Sequence, residues 1–362
     1  MFYYFLYPLR EQWIVFNLFK YITFRSMGAS LTAFFVCLIL GPSFTRWLSA
    51  VSAIGSTKRE NADPIHHLFQ DKKSIPTMGG ALIVSGIVAA SLIWGNLANR
   101  LLLISLATLV WFGLIGFADD YLKIKSKSTR GLRSLSKLLG QVVLGVILGW
   151  YLFHDPEFKG ILYLPFLKNA VIYLGIFYIP FVIIVLAGAS NALNLTDGLD
   201  GLAIGCLIFA AGAFAIISYV SGHAVFANYL QIPFFSESGE LTVFCSAMVG
   251  AGAGFLWYNS YPATIFMGDT GSLSLGGALG AVAVCIKKEL VLLIVGGIFV
   301  WEALSVIVQV LSFKLRRKRV FLMSPFHHHL QLKGWPESKV TIRLWIVAFM
   351  LALVGLSTLK IR

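Results

Sequence analysis

"LLLISLATLVWFGLIGFADD" (101–120) decides the fold. Up to Ala118 the stretch is apolar or small, broken only by the hydroxyls of Ser105 and Thr108. A run of this kind suits a helix crossing hydrocarbon, which takes about 20 residues. Two aspartates then stand at its C-terminal end, where the helix dipole disfavours negative charge by a few tenths to about 1 kcal/mol. If the helix continues through them, adjacent side chains point about 100° apart, so Asp119 and Asp120 should meet different partners.

The rest of the chain repeats this pattern. The 362 residues are 58% hydrophobic and 12% charged, with a mean hydropathy of +0.81. A soluble domain is about 25% charged, so tandem soluble domains are excluded. The long apolar runs also exclude the weak alternation of a barrel. The reading is an all-α, polytopic membrane protein with about ten transmembrane helices, over 27–49, 77–96, 101–118, 137–153, 170–189, 201–220, 241–259, 268–286, 289–312 and 340–359. Residues 1–26, interrupted by Arg10, Lys20 and Arg25, read as an interfacial amphipathic segment, and 27–362 as one membrane domain. The aromatic N-terminus has no small-residue cleavage site, so no removable signal peptide is expected. Cys37, Cys206, Cys245 and Cys285 lie in apolar runs without metal-ligand spacing and read as reduced packing residues. The net charge of +13 would suggest nucleic acid in a soluble protein. Here the basic residues cluster at membrane edges, which points to anionic lipid headgroups and away from a nucleic-acid partner.

Loop charge orients the spans. Seventeen Lys and Arg residues fall in odd-numbered loops, among them Lys58, Lys72, Lys123, Arg133 and the "KLRRKR" run (314–319), against five in even-numbered loops. The positive-inside rule places the odd loops in the cytoplasm and both termini on the periplasmic side. Arg10, Lys20 and Arg25 oppose this weakly. The unusual polar clusters sort the same way: "KKSIPTMGG" (72–80), Asp119–Asp120, "NALNLTDGLDGLA" (191–203), "FMGDTGS" (266–272) and "SPFHHHLQLKGW" (324–335) all fall at odd loops. One active-site cleft on the cytoplasmic face is the expectation.

Each cluster has a structural alternative. Asp119 and Asp120 would otherwise be a solvated pair balancing Lys123 and Lys125. Asn191, Asn194, Asp197 and Asp200 recur every third residue; Gly198 and Gly201 make a bend near the aspartates, suited to a hydrated cation or sugar hydroxyls. Alternatively, Asp197 or Asp200 caps the helix starting near 201. Asp269, before glycine and hydroxyls, is either a helix cap or a direct ligand for Mg²⁺, which favours one or two carboxylates plus phosphate oxygens. Phe266 is either interface packing or a stacking surface for a nucleobase. His327, His328 and His329 are consecutive, which argues against one zinc ion and suits donation to phosphate oxygens, or else a solvated turn. Carboxylates with lysines at a membrane edge indicate a divalent metal on a phosphorylated substrate, with a lipid as one reactant: a metal-dependent phosphotransferase acting on a lipid phosphate.

"PTMGG" (76–80), "FADDYLKIKSKSTRGL" (117–132), "NALNLTDGLDGLA", "FMGDTGSL" (266–273) and "PFHHHLQLKGWPESKVTIRLW" (325–345) come in order over nearly the whole chain. Together they closely resemble the phospho-N-acetylmuramoyl-pentapeptide-transferase family. The shared acids also suit the broader polyprenyl-phosphate sugar-1-phosphate transferases; the triple histidine and "GWPESKVTIRLW" point to the peptidoglycan branch. The resemblance implies ten helices, a bacterial inner-membrane location and a cytoplasmic active site. It implies transfer of phospho-MurNAc-pentapeptide from UDP-MurNAc-pentapeptide to undecaprenyl phosphate, with Mg²⁺, giving lipid I and UMP, and a homodimer. By the same resemblance Asp269 is the metal ligand and Asp119 and Asp120 the catalytic pair. Asn191, Asn194, Asp197 and Asp200 line the nucleotide-sugar pocket, with Phe266 against the uracil. His328 and His329, and more loosely His327, assist at the phosphates. Lys72, Thr77, Lys123, Lys127 and Lys137 line the cleft. Ser74 and Ile75 stand where the family usually has Gly-Thr, which bears on local turn geometry rather than on chemistry.

Two routes fit this reading. In direct displacement Asp119 keeps the lipid phosphate deprotonated while its oxygen attacks the β-phosphorus. In the other an aspartate is the nucleophile. Two other functions remain in view: a sibling transferase using UDP-GlcNAc, and, from another class, a cation-coupled transporter. The transporter is disfavoured because the acids lie at span ends on one side rather than near the midplane on broken helices.

Overall fold

The computed structural model describes residues 2–54, 75–126, 131–158, 160–167 and 171–360, with the side chains of 51–54 left aside. Lys72 and Lys127 lie outside the described residues. Each of the ten expected spans has a helical counterpart. In chain order these are α1 (Ile22–Ile54), α2 (Gly80–Trp94), α3 (Arg100–Ser126), α4 (Ser134–His154), α5 (Tyr178–Thr196), α6 (Leu202–Ser221), α7 (Gly239–Asn259), α8 (Gly268–Cys285), α9 (Gly297–Arg316) and α10 (Glu337–Ser357). Among the described residues, eight helical segments are long and apolar enough to cross a membrane. The two helices outside that set have separate reasons. Helix α2, at 15 residues, spans only about 22 Å. Helix α8 carries Asp269 in its first turn and is rich in glycine and serine.

Helix α8 needs no greasy exterior because protein surrounds it. Thr270 through Cys285 are all buried, against α3, α5 and α2. Its hydroxyls are satisfied internally, as they must be at membrane depth. Ser272 Oγ donates to Asn194 Oδ1 (2.7 Å) and Ser274 Oγ to Thr270 O (2.7 Å). Around this axis α7 packs between α1 and α6, α4 lies against α5, and α10 lies against α6. All four cysteines are buried and unbridged.

Several expected boundaries shift for local reasons. Helix α1 begins at Ile22 rather than 27, because Arg25 is buried on a carboxylate of Glu240, with Nη1–Oε2 at 2.7 Å and Nη2–Oε1 at 2.6 Å. Arg25 is thus neutralised locally and its weight as a topology signal disappears. The span predicted from 170 instead opens with strand β2 (Val171–Tyr173), paired antiparallel with β1 (Ile161–Tyr163). The β-branched and aromatic residues of both segments suit this hairpin, and α5 starts only at Tyr178. The single span expected over 289–312 is broken: a short helix, Glu289–Val295, ends at Gly296 and α9 follows. A glycine pair is a recognised point of helix interruption. Asp119 and Asp120 do not open a loop; α3 runs on to Ser126, so both acids are helical.

Candidate active site: a three-acid centre where helix ends meet

The site forms where the C-terminal turns of α3 meet the N-terminus of α8. Gly268, at φ +73°, takes the left-handed conformation that glycine adopts at no steric cost and starts α8 abruptly. The preceding loop is pinned to the "PTMGG" turn backbone to backbone. Phe266 N donates to Pro76 O (2.9 Å), Gly79 N to Phe266 O (2.8 Å) and Gly80 N to Met267 O (2.8 Å). Two separate motifs of the sequence are thereby one structural unit, and Thr77 lies beside Gly268.

Asp120 closes the joint. It is buried and accepts from Thr270 N (2.9 Å), Thr270 Oγ1 (2.7 Å) and, more weakly, Asp269 N (3.3 Å). It therefore caps α8 from the neighbouring helix, and the positive end of α8 offsets the unfavourable end of α3. Asp269 itself makes no cap; it lies in the first turn of α8. Asp119, one residue away, turns to other partners as helical geometry requires. It is fully enclosed, accepts from Leu132 N (2.6 Å), and pairs with Lys123 Nζ (2.5 Å) and Lys137 Nζ (2.9 Å).

Asp119, Asp120 and Asp269 each offer a carboxylate oxygen, and these oxygens lie within 4.8 Å of one another. Lys137 Nζ also reaches Asp269 Oδ2 (2.5 Å), and Lys123 Nζ reaches Asp269 Oδ1 (3.3 Å) and Asp120 Oδ1 (3.8 Å). The ammonium groups thus sit among three convergent carboxylates. Hard oxygen donors at this separation fit a divalent cation such as Mg²⁺, and three acids against two lysines leave net negative charge to attract one.

The asparagine–aspartate stretch bends as its glycines predict. Asn191 and Asn194 lie on the last turns of α5; Asp197 and Asp200 lie in the turn before α6. Asn191 Nδ2 donates to Gln141 Oε1 (2.8 Å) and Asn194 is held by Ser272. The residue at the N-cap of α6 is Gly201, at φ +73°. Asp197 faces the centre. Its carboxyl is pushed up to about 7, by burial first and then by the charges of Asp269 and Asp120, partly offset by a hydrogen bond from Gly268 N–H. Asp200 is buried and accepts from Ala263 N (3.0 Å), while its own N–H donates to Glu337 Oε1 (2.8 Å). Phe266 is half-buried.

The histidines separate. They lie on a short helix, Phe326–Leu332. His327 is fully enclosed, with Nδ1 3.2 Å from Glu302 Oε2. His328 Nδ1 meets Gln331 Oε1 at 2.9 Å. His329 Nδ1 accepts from Leu322 N (3.1 Å), and partial enclosure, then Lys333, hold its pKa below the usual imidazole range. Several contributors were not singled out from sequence: Thr270, Gln141, Ser272, Glu337 and Glu302. Thr270 and Ser272 lie within "FMGDTGS" and Glu337 within "GWPESKVTIRLW"; outside those motifs Glu302 carried a readable signal, an acid inside an apolar span.

Residues 102–287 match glycosyl transferase family 4, which covers α3 through α8 and so encloses the three-acid centre. Proteins named phospho-N-acetylmuramoyl-pentapeptide-transferase are similar over the full length. That of Granulibacter bethesdensis is 54% identical over 358 residues, 98% of either chain. Those of Geobacter sp. strain M21 and Thermodesulfovibrio yellowstonii are each 51% identical, with both chains wholly covered. A multi-pass helical membrane fold built around convergent acids is thus that of a bacterial membrane transferase. The chain belongs to the phospho-N-acetylmuramoyl-pentapeptide-transferase family.

Proposed function

We propose that this chain transfers phospho-MurNAc-pentapeptide from UDP-MurNAc-pentapeptide to undecaprenyl phosphate, yielding lipid I and UMP. The observation that carries the reading is the meeting of Asp119, Asp120 and Asp269 with Lys123 and Lys137, a charge arrangement made for two phosphates and a divalent cation. Full-length similarity to proteins of that name supports the substrates.

The residues divide the work. Asp269, with Asp119 and Asp120 in reach, would hold Mg²⁺. When bound, the ion supplies Lewis-acid neutralisation of the diphosphate. Lys123 and Lys137 turn their ammonium groups from the acids to phosphate oxygens as substrates arrive, with Lys72 and Lys127 as further cations at the cleft. That turn frees Asp119 to keep the lipid phosphate deprotonated for direct attack. Asp120 fixes Asp269 through the start of α8. Asn191, Asn194, Asp197, Asp200 and Thr77 line the nucleotide-sugar pocket and Phe266 receives the uracil. His328 and His329 donate at the phosphates.

The cleft opens to the cytoplasm of the bacterial inner membrane, the segment before α1 lies along the interface, the remainder from α1 onward is the catalytic domain, and the working unit is a homodimer. Sidedness gains support from the even loops. There Arg100 is paired with Asp155, Glu157 and Glu237, and Lys287 is buried over the Tyr178 ring at 3.8 Å. Arg100 is thus compensated locally and Lys287 is withdrawn from solvent.

The test is turnover by the purified chain with undecaprenyl phosphate, Mg²⁺ and either UDP-MurNAc-pentapeptide or UDP-GlcNAc. Lipid I and UMP are expected from the first sugar nucleotide alone. Turnover of the second instead would identify the sibling transferase, and turnover of neither would end the proposal.

A further inference from the structure

Glu302 lies in α9, a helix apolar enough to cross a membrane, and is fully buried. A carboxylate in such a place is costly unless paired, and it commonly marks function. Its ionisable partner is His327. Oε2 lies 3.2 Å from Nδ1 and also accepts from the His327 backbone N–H at 3.4 Å. Glu302 Oε1 accepts no hydrogen bond among the described residues.

The other edge of the imidazole reaches the acid-bearing turn. A Cβ on Gly198 would overlap His327 Nε2. The ring is therefore wedged between Glu302 of α9 and the residue that follows Asp197. With no exposed surface, it is closed to substrate, so its role differs from that of a phosphate contact. Neither ring nitrogen has a hydrogen-bond partner among the described residues, so the ring is held by enclosure and by the backbone hydrogen bond from His327 N–H to Glu302 Oε2.

We propose that Glu302 and His327 form a buried latch that fixes the Asp197–Gly198 turn against α9, and with it the carboxylate of Asp197 towards the three-acid centre. Glu302 is then a positioning residue for the transfer. This rests on the function proposed above. The latch also ties α9 and the short histidine helix to the pocket turn, so that three separate segments share one register. Displacing a positioned group by about 1 Å commonly costs on the order of 100-fold in rate.

The experiment compares wild type, Glu302→Gln, Glu302→Leu, His327→Gln and the Glu302→Gln/His327→Gln double variant in detergent. It measures kcat, KM for the sugar nucleotide and thermal stability. Replacing a buried carboxylate by an apolar side chain of similar volume is often neutral or stabilising. Glu302→Leu is thus expected to keep its melting temperature while losing kcat by at least about tenfold. The double variant is expected to lose no more than the worse single variant, because the two side chains act as one unit. Wild-type kcat in a stably folded Glu302→Leu, or losses that multiply in the double variant, would overturn the latch. If Glu302→Leu proves unstable, Glu302→Gln and the cycle decide alone. An inactive wild type in the same assay would instead count against the proposed function.

Discussion

Asp120, near the end of α3, accepts both the backbone N–H (2.9 Å) and the hydroxyl (2.7 Å) of Thr270, in the first turn of α8. One buried carboxylate thereby joins the negative end of one helix to the positive end of another. Asp119, one residue earlier, points elsewhere and gathers the two lysines. An adjacent acid pair thus serves as a joint and as an anchor for two lysines, and the division follows from the pitch of the helix.

Removing the hydroxyl from this joint weakens it. Thr270→Val keeps the shape but leaves Asp120 short of one donor. A hydrogen bond to a buried charged group contributes about 1.5–3 kcal/mol. A clear fall in melting temperature is expected, together with reduced turnover as Asp269 loses its fixed position. An unchanged melting curve would contradict the capping role.

Gly116 sets how closely α3 and α8 approach. A Cβ there would overlap the Asp269 carbonyl oxygen, whereas one at Gly113 would make only ordinary contact, 3.6 Å from Ser274 Cβ. Gly116→Ala should therefore destabilise by about 1–3 kcal/mol, as overpacking does, and lower turnover sharply. Gly113→Ala should be neutral or gain up to about 1 kcal/mol from helix propensity. Thermal melts and turnover of the two variants side by side check this; equal behaviour would refute the close approach.

Asp197 makes the metal-free protein sensitive to pH. Its carboxyl is pushed up to about 7, against about 3.9 in an unfolded chain. The folded state holds this proton more tightly than the unfolded state, so stability falls as pH rises from about 4 to about 7 and is level above. Asp197→Asn removes that loss. With chelator present, the variant should melt higher than wild type at pH 8 and alike at pH 4. A difference of the opposite sign, or none at pH 8, would show that Asp197 is not crowded by Asp269 and Asp120.

Much of this was legible in the sequence because hydrocarbon leaves few options. Apolar length gives the helices, and acids at span ends on one side give the site. Asp119, Asp120 and Asp269 lie on two helices and are brought together as expected, with Lys123 and Lys137. The turn at Gly198–Gly201 was readable from glycine alone. Other features depend on tertiary partners that no local pattern reveals. The last turns of α3 persist beyond Asp120 because α8 supplies donors for its carboxylate. Helix α8 tolerates its polar composition only because α3, α5 and α2 cover it. The three histidines look equivalent in sequence, yet Glu302 and Gly198, 25 and 129 positions from His327, enclose one of them. Arg25 read as a topology signal until Glu240 was seen to neutralise it.

The central claim is that the three acids hold a divalent ion over the phosphates. Anomalous diffraction from crystals grown with Mn²⁺ tests it most directly, since Mn²⁺ shares the oxygen-ligand chemistry of Mg²⁺. The account predicts one strong peak within bonding distance of the Asp269 carboxylate and close to Asp119 and Asp120, lost in Asp269→Asn, with the Lys137 ammonium moved away from Asp269. A metal bound elsewhere in an active enzyme, with Lys137 still seated on Asp269, would contradict it.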